Sequence, residues 1–202
     1  MQIDALAPGA TLPPALPEVA HARATLAAFA PPDAPQERER EGFLAFIDEY
    51  PADAHLRSCR VGHLTAAVLL MSADGERVLM MHHKKLDRWL QFGGHCDGDA
   101  NLRGVALRET VEESGIRPAF ITREPVDIDI HEIPEYRGVP AHLHYDVRFL
   151  AWAPEGAKEI ANEESLALRW HSRSEVDSIG VDPSLQRLLL LGFAAHAPRG
   201  QF

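Results

Sequence analysis

Cysteine is scarce in this chain of 202 residues, with Cys59 and Cys96 the only two. A pair without regular spacing does not make a disulfide scaffold and points to a reducing compartment. Positive charge is also short. Against 30 Asp and Glu stand 20 Lys and Arg, a formal net charge of -10. That balance excludes a general affinity for nucleic acid, which needs basic surface to neutralise phosphates. It leaves room for a small phosphorylated substrate, because a bound metal ion inverts the local field. Long apolar runs are missing as well. No stretch reaches the roughly 18 uninterrupted apolar residues of a membrane span, and the strongest candidate, Leu188 to Ala195, is too short. The amino terminus has no basic segment leading into an apolar one, so no signal peptide is expected. The expected location is the cytoplasm, off the membrane. No internal repeat is visible, and the only biased tract is the start, with Pro13, Pro14 and Pro17.

What is present is ordinary for a globular protein: 46% hydrophobic and 25% charged residues, enough for one sizeable core and short for two full enzymatic domains. Ala20 to Phe29 reads as a short helix stopped by Pro31 and Pro32. Gln36 to Glu49 reads as an amphipathic helix ended by Pro51, with Phe43, Leu44, Phe46 and Ile47 as its apolar set. Residues 1–55 therefore form a partly helical extension, placed before a second unit over 56–202. The extension could be a lid, a homodimer contact or a brace.

Beyond it the pattern turns to strands. Leu64 to Met71 is a near-continuous apolar run, as in a strand buried on both faces. A turn centred on Asp74-Gly75 leads to a returning strand over Arg77 to His82. Val126 to His131 and His142 to Phe149 alternate with period two and form a long hairpin, Leu166 to Trp170 is a last strand, and Pro183 to His196 a leucine-rich helix. Together these predict an α/β fold, a mixed sheet between helices.

The chemistry concentrates in Gly93 to Ile116. On a helix starting near Asn101, an acceptable N-cap, Glu109, Glu112 and Glu113 stand at i, i+3 and i+4 and share one face. Each like-charged pair of that kind costs a helix about 0.2–0.5 kcal/mol. A hard divalent cation removes the repulsion. Arg108, four residues before Glu112, can steady one carboxylate. A Gly93-Gly94 turn precedes the helix, where backbone approaches a ligand closely, and Gly115 ends it as a left-handed cap.

At these residues the chain resembles the Nudix hydrolase family. The family signature is Gly, five residues, Glu, seven residues, then Arg-Glu-apolar-x-Glu-Glu-x-Gly-apolar. Gly94, Arg108, Glu109, Glu112, Glu113, Gly115 and Ile116 match it at the required spacings. Ala100 stands where the first glutamate belongs, with Asp97 and Asp99 near enough to take over part of its role. Thr110 replaces an apolar residue. The resemblance implies a Nudix-type α/β/α sandwich over 56–202 and a metal-dependent hydrolase acting on a diphosphate linkage in a nucleoside diphosphate derivative. It implies Mg²⁺, with Mn²⁺ as a substitute, held by the Gly94 carbonyl, Glu109, Glu112 and Glu113. Glu109 would take the proton of the attacking water, and Arg108 would orient the cluster. Many members carry a further glutamate in a loop after the main hairpin, and Glu164, ahead of Glu163, is placed in that catalytic role. The partner is a small nucleotide substrate. The alternative is a Nudix-like module that binds a nucleotide without cleaving it, favoured only by Ala100.

Three further groups are candidates. Lys85 and Arg88 precede the glycine turn and could bind substrate phosphate, against the plainer reading of a solvated loop. His95 follows Gly94, where isopentenyl diphosphate isomerase, of the same fold, carries Cys-Gly-His. Gly93 here replaces that cysteine, so His95 reads as a substrate-lining residue before a metal ligand. His142, His144 and Asp146 share a strand face, which suits transition-metal ligation but is more often simply the polar side of a strand.

Overall fold

Leu64 to Met71 lie at the centre of the molecule, buried along their whole length. The computed structural model describes residues 1–198. Its elements in chain order are β1 (Ile3–Ala5), α1 (Ala20–Ala28), α2 (Ala34–Glu49), β2 (Gly62–Met71), β3 (Arg77–His83), β4 (Arg88–Leu90), β5 (Phe92–His95), α3 (Leu102–Ser114), β6 (Phe120–Thr122), β7 (Asp127–Ile133), β8 (His142–Trp152), β9 (Ser165–Ser172), α4 (Arg173–Val176) and α5 (Pro183–Ala194).

β2 and β8 run parallel, paired from Gly62↔Leu143 to Met71↔Trp152. Each has two antiparallel partners on its outer side. β2 meets β5 along Thr65 to Val68 and β3 at Leu70 and Met71. β8 meets β7 along His142 to Arg148, the expected hairpin, and β6 at Ala151 and Trp152. The mixed sheet is completed by β4 and β9 on β3, and by β1 on β6.

Side chains alternate between the faces of a strand, and both faces are covered. Leu64, Ala66, Val68, Phe92, Val147 and Phe149 share one core with Val105 and Ala106 of α3 and with Phe43, Phe46 and Ile47 of α2. Leu69, Met71, Met80, Leu150 and Trp152 meet Leu185, Leu188 and Leu189 of α5 on the other. Each fully buried side chain of this size contributes about 1.5–3 kcal/mol. The result is an α/β/α sandwich with helices ahead of it.

The first 55 residues are woven into that frame. Asp33 caps α2 by accepting from the Gln36 N–H at 2.9 Å. The buried Gln36 amide donates to the Ile128 carbonyl at 2.8 Å and accepts from the Ile128 N–H at 3.1 Å, completing the outer edge of β7. Phe46 stacks on Tyr145 with ring centroids 3.9 Å apart. β1, β6 and α4 have no counterpart in the sequence reading, because three or four residues are too few to show a period.

Candidate active site

β5 and α3 build the site between them. Asn101 caps α3 by accepting from the Gly104 N–H at 3.1 Å. Gly115 ends it at φ 70°, with its N–H on the Val111 carbonyl. Thr110 is fully buried and satisfies its hydroxyl on the Ala106 carbonyl at 2.7 Å, so it packs where an apolar residue would. The helix crosses the sheet at the glycine pair. A Cβ on Gly94 would lie 2.5 Å from Glu109 Oε2, so any side chain there would displace the Glu109 carboxylate. The Gly93 N–H donates to Glu113 Oε2 at 2.9 Å.

The electrostatics are those of a concentrated negative charge. Burial pushes the Glu113 carboxyl up to about 8, against the pull of the Gly93 N–H, and the charges of Glu109, Glu164 and Glu112 add to the shift. Glu109 is raised too, first by burial, then by Glu112, with Arg108 opposing and Glu164 and Asp97 adding. Glu112 is exposed, and its charge acts on both Glu109 and Glu113. Glu164 lies in the loop before β9, held through its carbonyl by the Lys84 N–H at 2.9 Å. Its field reaches both Glu109 and Glu113, whereas Glu163 is not among the charges that shift either. This donor set fits a hard divalent cation: carboxylate oxygens from two segments, one of them buried, with like charges unbalanced around it.

A family model of the NUDIX domain matches residues 62–190. The chain belongs to the Nudix family. Solved structures agree on the Nudix fold. The NUDIX domain of Shewanella oneidensis NrtR, complexed with ADP ribose, is 21% identical with a TM-score of 0.52, over 73% of this chain and 95% of that one. The E. coli dihydroneopterin triphosphate pyrophosphohydrolase is 19% identical with a TM-score of 0.50, over 63% and 92%. No curated protein matches the chain. With the three helix carboxylates of the signature in place, it is a Nudix hydrolase in fold and in motif.

Where the Nudix signature has its first glutamate, Ala100 is fully buried under the proline-rich start. The Ala100 N–H donates to the Leu16 carbonyl at 2.6 Å, and the Asn101 side chain to the Pro14 carbonyl at 3.2 Å. The neighbouring Asp99 accepts from Arg108 at 3.0 Å and from the Leu16 and Asn101 N–H groups. Arg108 also lies 3.9 Å from Glu109. Its ion-pair partners are Asp99 and Glu109, not Glu112. Ala100→Glu is therefore expected to destabilise the protein, with overpacking alone costing about 1–3 kcal/mol. A lowered denaturant midpoint would show this, and an unchanged midpoint would mean the amino-terminal segment does not cover the position in solution.

Sequence reasoning missed Arg57. It lies in the connector between α2 and β2, and its guanidinium grips Asp97 at 2.6 and 2.7 Å. Beyond that partner, the charges of Glu109 and Glu164 reach it. No local pattern marks Arg57, because a separation of 40 residues carries no period. Lys85 and Arg88 are exposed on the β3–β4 hairpin, and neither makes an ion pair with a motif carboxylate among the described residues. Arg88 instead lines a pocket with Trp89, Leu90 and the Ile179–Asp182 turn.

His95 points to the other side of the sheet from Gly94 and α3. Its ring lies 4.8 Å from that of His63 and 4.9 Å from that of His144, centre to centre. Burial pushes His95 down to about 4, with Arg57 and His63 adding. Burial and the rings of His95, His63, His131 and His142 push His144 down to about 2.

Proposed function

We propose that this protein is a divalent-metal-dependent hydrolase that cleaves the diphosphate linkage of a nucleoside diphosphate derivative. The observation that carries the reading is the meeting of Glu109, Glu113 and the charge of Glu164 at Gly93-Gly94, with Glu113 buried among like charges. Mg²⁺, or Mn²⁺ in its place, would be held by Glu109, Glu112, Glu113 and the Gly94 carbonyl, and supplies phosphate polarisation and acidified water. Glu109 accepts the proton of the attacking water, since its raised pKa makes it a better base than an exposed carboxylate. The Gly93 N–H fixes the orientation of Glu113. Arg108, anchored on Asp99, positions Glu109 from outside the cluster. Glu164 adds a carboxylate from the far wall and is the second candidate for the base.

A diphosphate brings more negative charge than one divalent ion offsets. Arg57, preset by Asp97 and within the field of Glu109 and Glu164, is the cation that meets the phosphates beside the cluster, and Lys85 and Arg88 are outer phosphate contacts. Residues 1–55 act as a brace that holds the start of α3 and the edge of β7. The sensor alternative rests on Ala100, and Asp99 already supplies the partner that Arg108 needs.

The test is turnover of a panel of nucleoside diphosphate derivatives with Mg²⁺ or Mn²⁺, and with chelator. Metal-dependent release of a nucleoside monophosphate is the expected result. Tight nucleotide binding without any cleavage would establish the sensor instead. In the same assay Arg57→Ala is expected to lower kcat/KM about tenfold, or about 1.4 kcal/mol, with metal affinity unchanged. Lys85→Ala and Arg88→Ala are expected to raise KM by less, and wild-type kinetics in both would assign them to a solvated loop.

A further inference from the structure

The carboxylate chemistry uses none of the five histidines gathered on the opposite face of the sheet. Register puts them there. His63 of β2 is paired with His144 of β8, His144 with His131 of β7, and His95 of β5 with Thr65, two residues from His63. Strand alternation turns all of these side chains to one side. The rings of His63, His95 and His144 form a near-equilateral triangle, with centroids 4.8, 4.9 and 4.9 Å apart. His142 lies 5.0 Å from His63, and His131 lies 5.5 Å from His144.

A second observation points to a ligand. His63 is only 4% exposed, and both of its ring nitrogens are buried without a hydrogen-bond partner. The Cys59 backbone lies near the ring and favours its charged form, but no well-formed hydrogen bond results. A buried polar group left unpaired costs about 1–3 kcal/mol, and here the unpaired nitrogens belong to a ring flanked by other imidazoles.

We propose that His63, His95 and His144 form a transition-metal site of the Zn²⁺ class, separate from the carboxylate site on the other side of the sheet. One nitrogen from each ring is available, and the three lie within 4.8 Å of one another. Zinc–nitrogen bonds of about 2.0–2.1 Å in a tetrahedron require ligand atoms about 3.3 Å apart. The rings must close by roughly 1–1.5 Å from their present spacing, a change that rotation about their side-chain bonds supplies while the three strands stay fixed. The fourth position faces His142 or water. Imidazole selects borderline metals, whereas carboxylates select Mg²⁺, so the two sites sort ions by donor type. The Cys59 backbone beside His63 is the group nearest to hand for an outer hydrogen bond once the ring turns towards the ion. Because His95 directly follows Gly94, an ion held here also stiffens the turn that carries Gly93 and Gly94.

This site does not depend on the hydrolase reading, and its test measures binding alone. Untagged full-length protein is stripped with chelator and titrated with Co²⁺, followed by Zn²⁺ competition. One Co²⁺ per chain with the strong visible bands of a tetrahedral ion is expected, displaced by Zn²⁺. Glu113→Gln keeps the bands, while His144→Gln and His95→Gln each weaken binding at least about tenfold. Should His144→Gln not fold, the wild type and His95→Gln decide the question. The proposal is overturned if the wild type shows no such bands, if the folded histidine variants bind as the wild type does, or if Glu113→Gln abolishes the signal.

Discussion

Glu113→Gln is expected to stabilise the metal-free protein at pH 8 while reducing turnover at least about a hundredfold. The two effects have one cause. The Glu113 carboxyl is buried, its oxygen meets the Gly93 N–H, and its neighbours Glu109, Glu164 and Glu112 are all acidic. Its pKa rises from 4.5 to about 8, with burial the leading cause. Between those values the folded protein holds a proton that the unfolded chain has released. Stability from this group is therefore fully present below pH 4.5 and is lost as pH climbs towards 8. At about 1.4 kcal/mol per pKa unit, the loss amounts to a few kcal/mol. Glutamine keeps the shape and cannot ionise, so the variant escapes the loss. A divalent cation replaces the proton in the wild type, and glutamine gives it a poor ligand. Removing an outer partner of a metal site already costs about 10–100-fold, so losing a direct ligand costs more. The check is the melting temperature of wild type and variant across pH 5 to 9 in chelator, followed by the rate with Mg²⁺. Parallel pH profiles for the two proteins would refute the assignment of the shift to Glu113.

Arg148→Met is expected to cost about 3–5 kcal/mol, the range for breaking a buried ion pair from one side. Arg148 is 4% exposed and bonds Asp146 at 2.7 Å, Asp127 at 3.1 Å, Asp129 at 3.2 Å and the Ser184 hydroxyl at 2.6 Å. Burial alone would raise the Asp129 carboxyl. The His131 hydrogen bond, the Arg148 charge and the Ser184 hydroxyl outweigh burial and hold it well below the usual carboxylate range. Without Arg148, Asp127 and Asp129 keep Arg187, at 2.6 and 3.4 Å, and Asp129 keeps His131 at 2.9 Å, while Asp146 loses its one ion-pair partner among the described residues. Arg148→Lys should rescue little, because an ammonium cannot present a planar fork to several carboxylates at once. The denaturant midpoint measures both variants. A wild-type midpoint for Arg148→Met would show that the network is not held in solution. Asp146 also accepts from Thr65 at 2.9 Å, so the network adjoins the strand that carries His63.

The sequence by itself determined α3, its Asn101 and Gly115 caps, the carboxylates on one helix face, and the strands on either side. Those features rest on interactions within a few residues, so spacing and residue type are enough to reveal them. Glu164 was legible only through a family habit, and the structure adds the reach of its charge to Glu109 and Glu113. Asp99 was named beside Ala100 from the sequence, but its bonds to Arg108 and to the Leu16 N–H were not legible, nor were Arg57, the Arg148 network and the histidine triangle. The histidine triangle comes from the pairing of β2 with β5 on one side and with β8 on the other, which places residues 63, 95 and 144 together. Tertiary structure alone decided these features, because strand register and chain crossing join residues whose separation in sequence has no period to read.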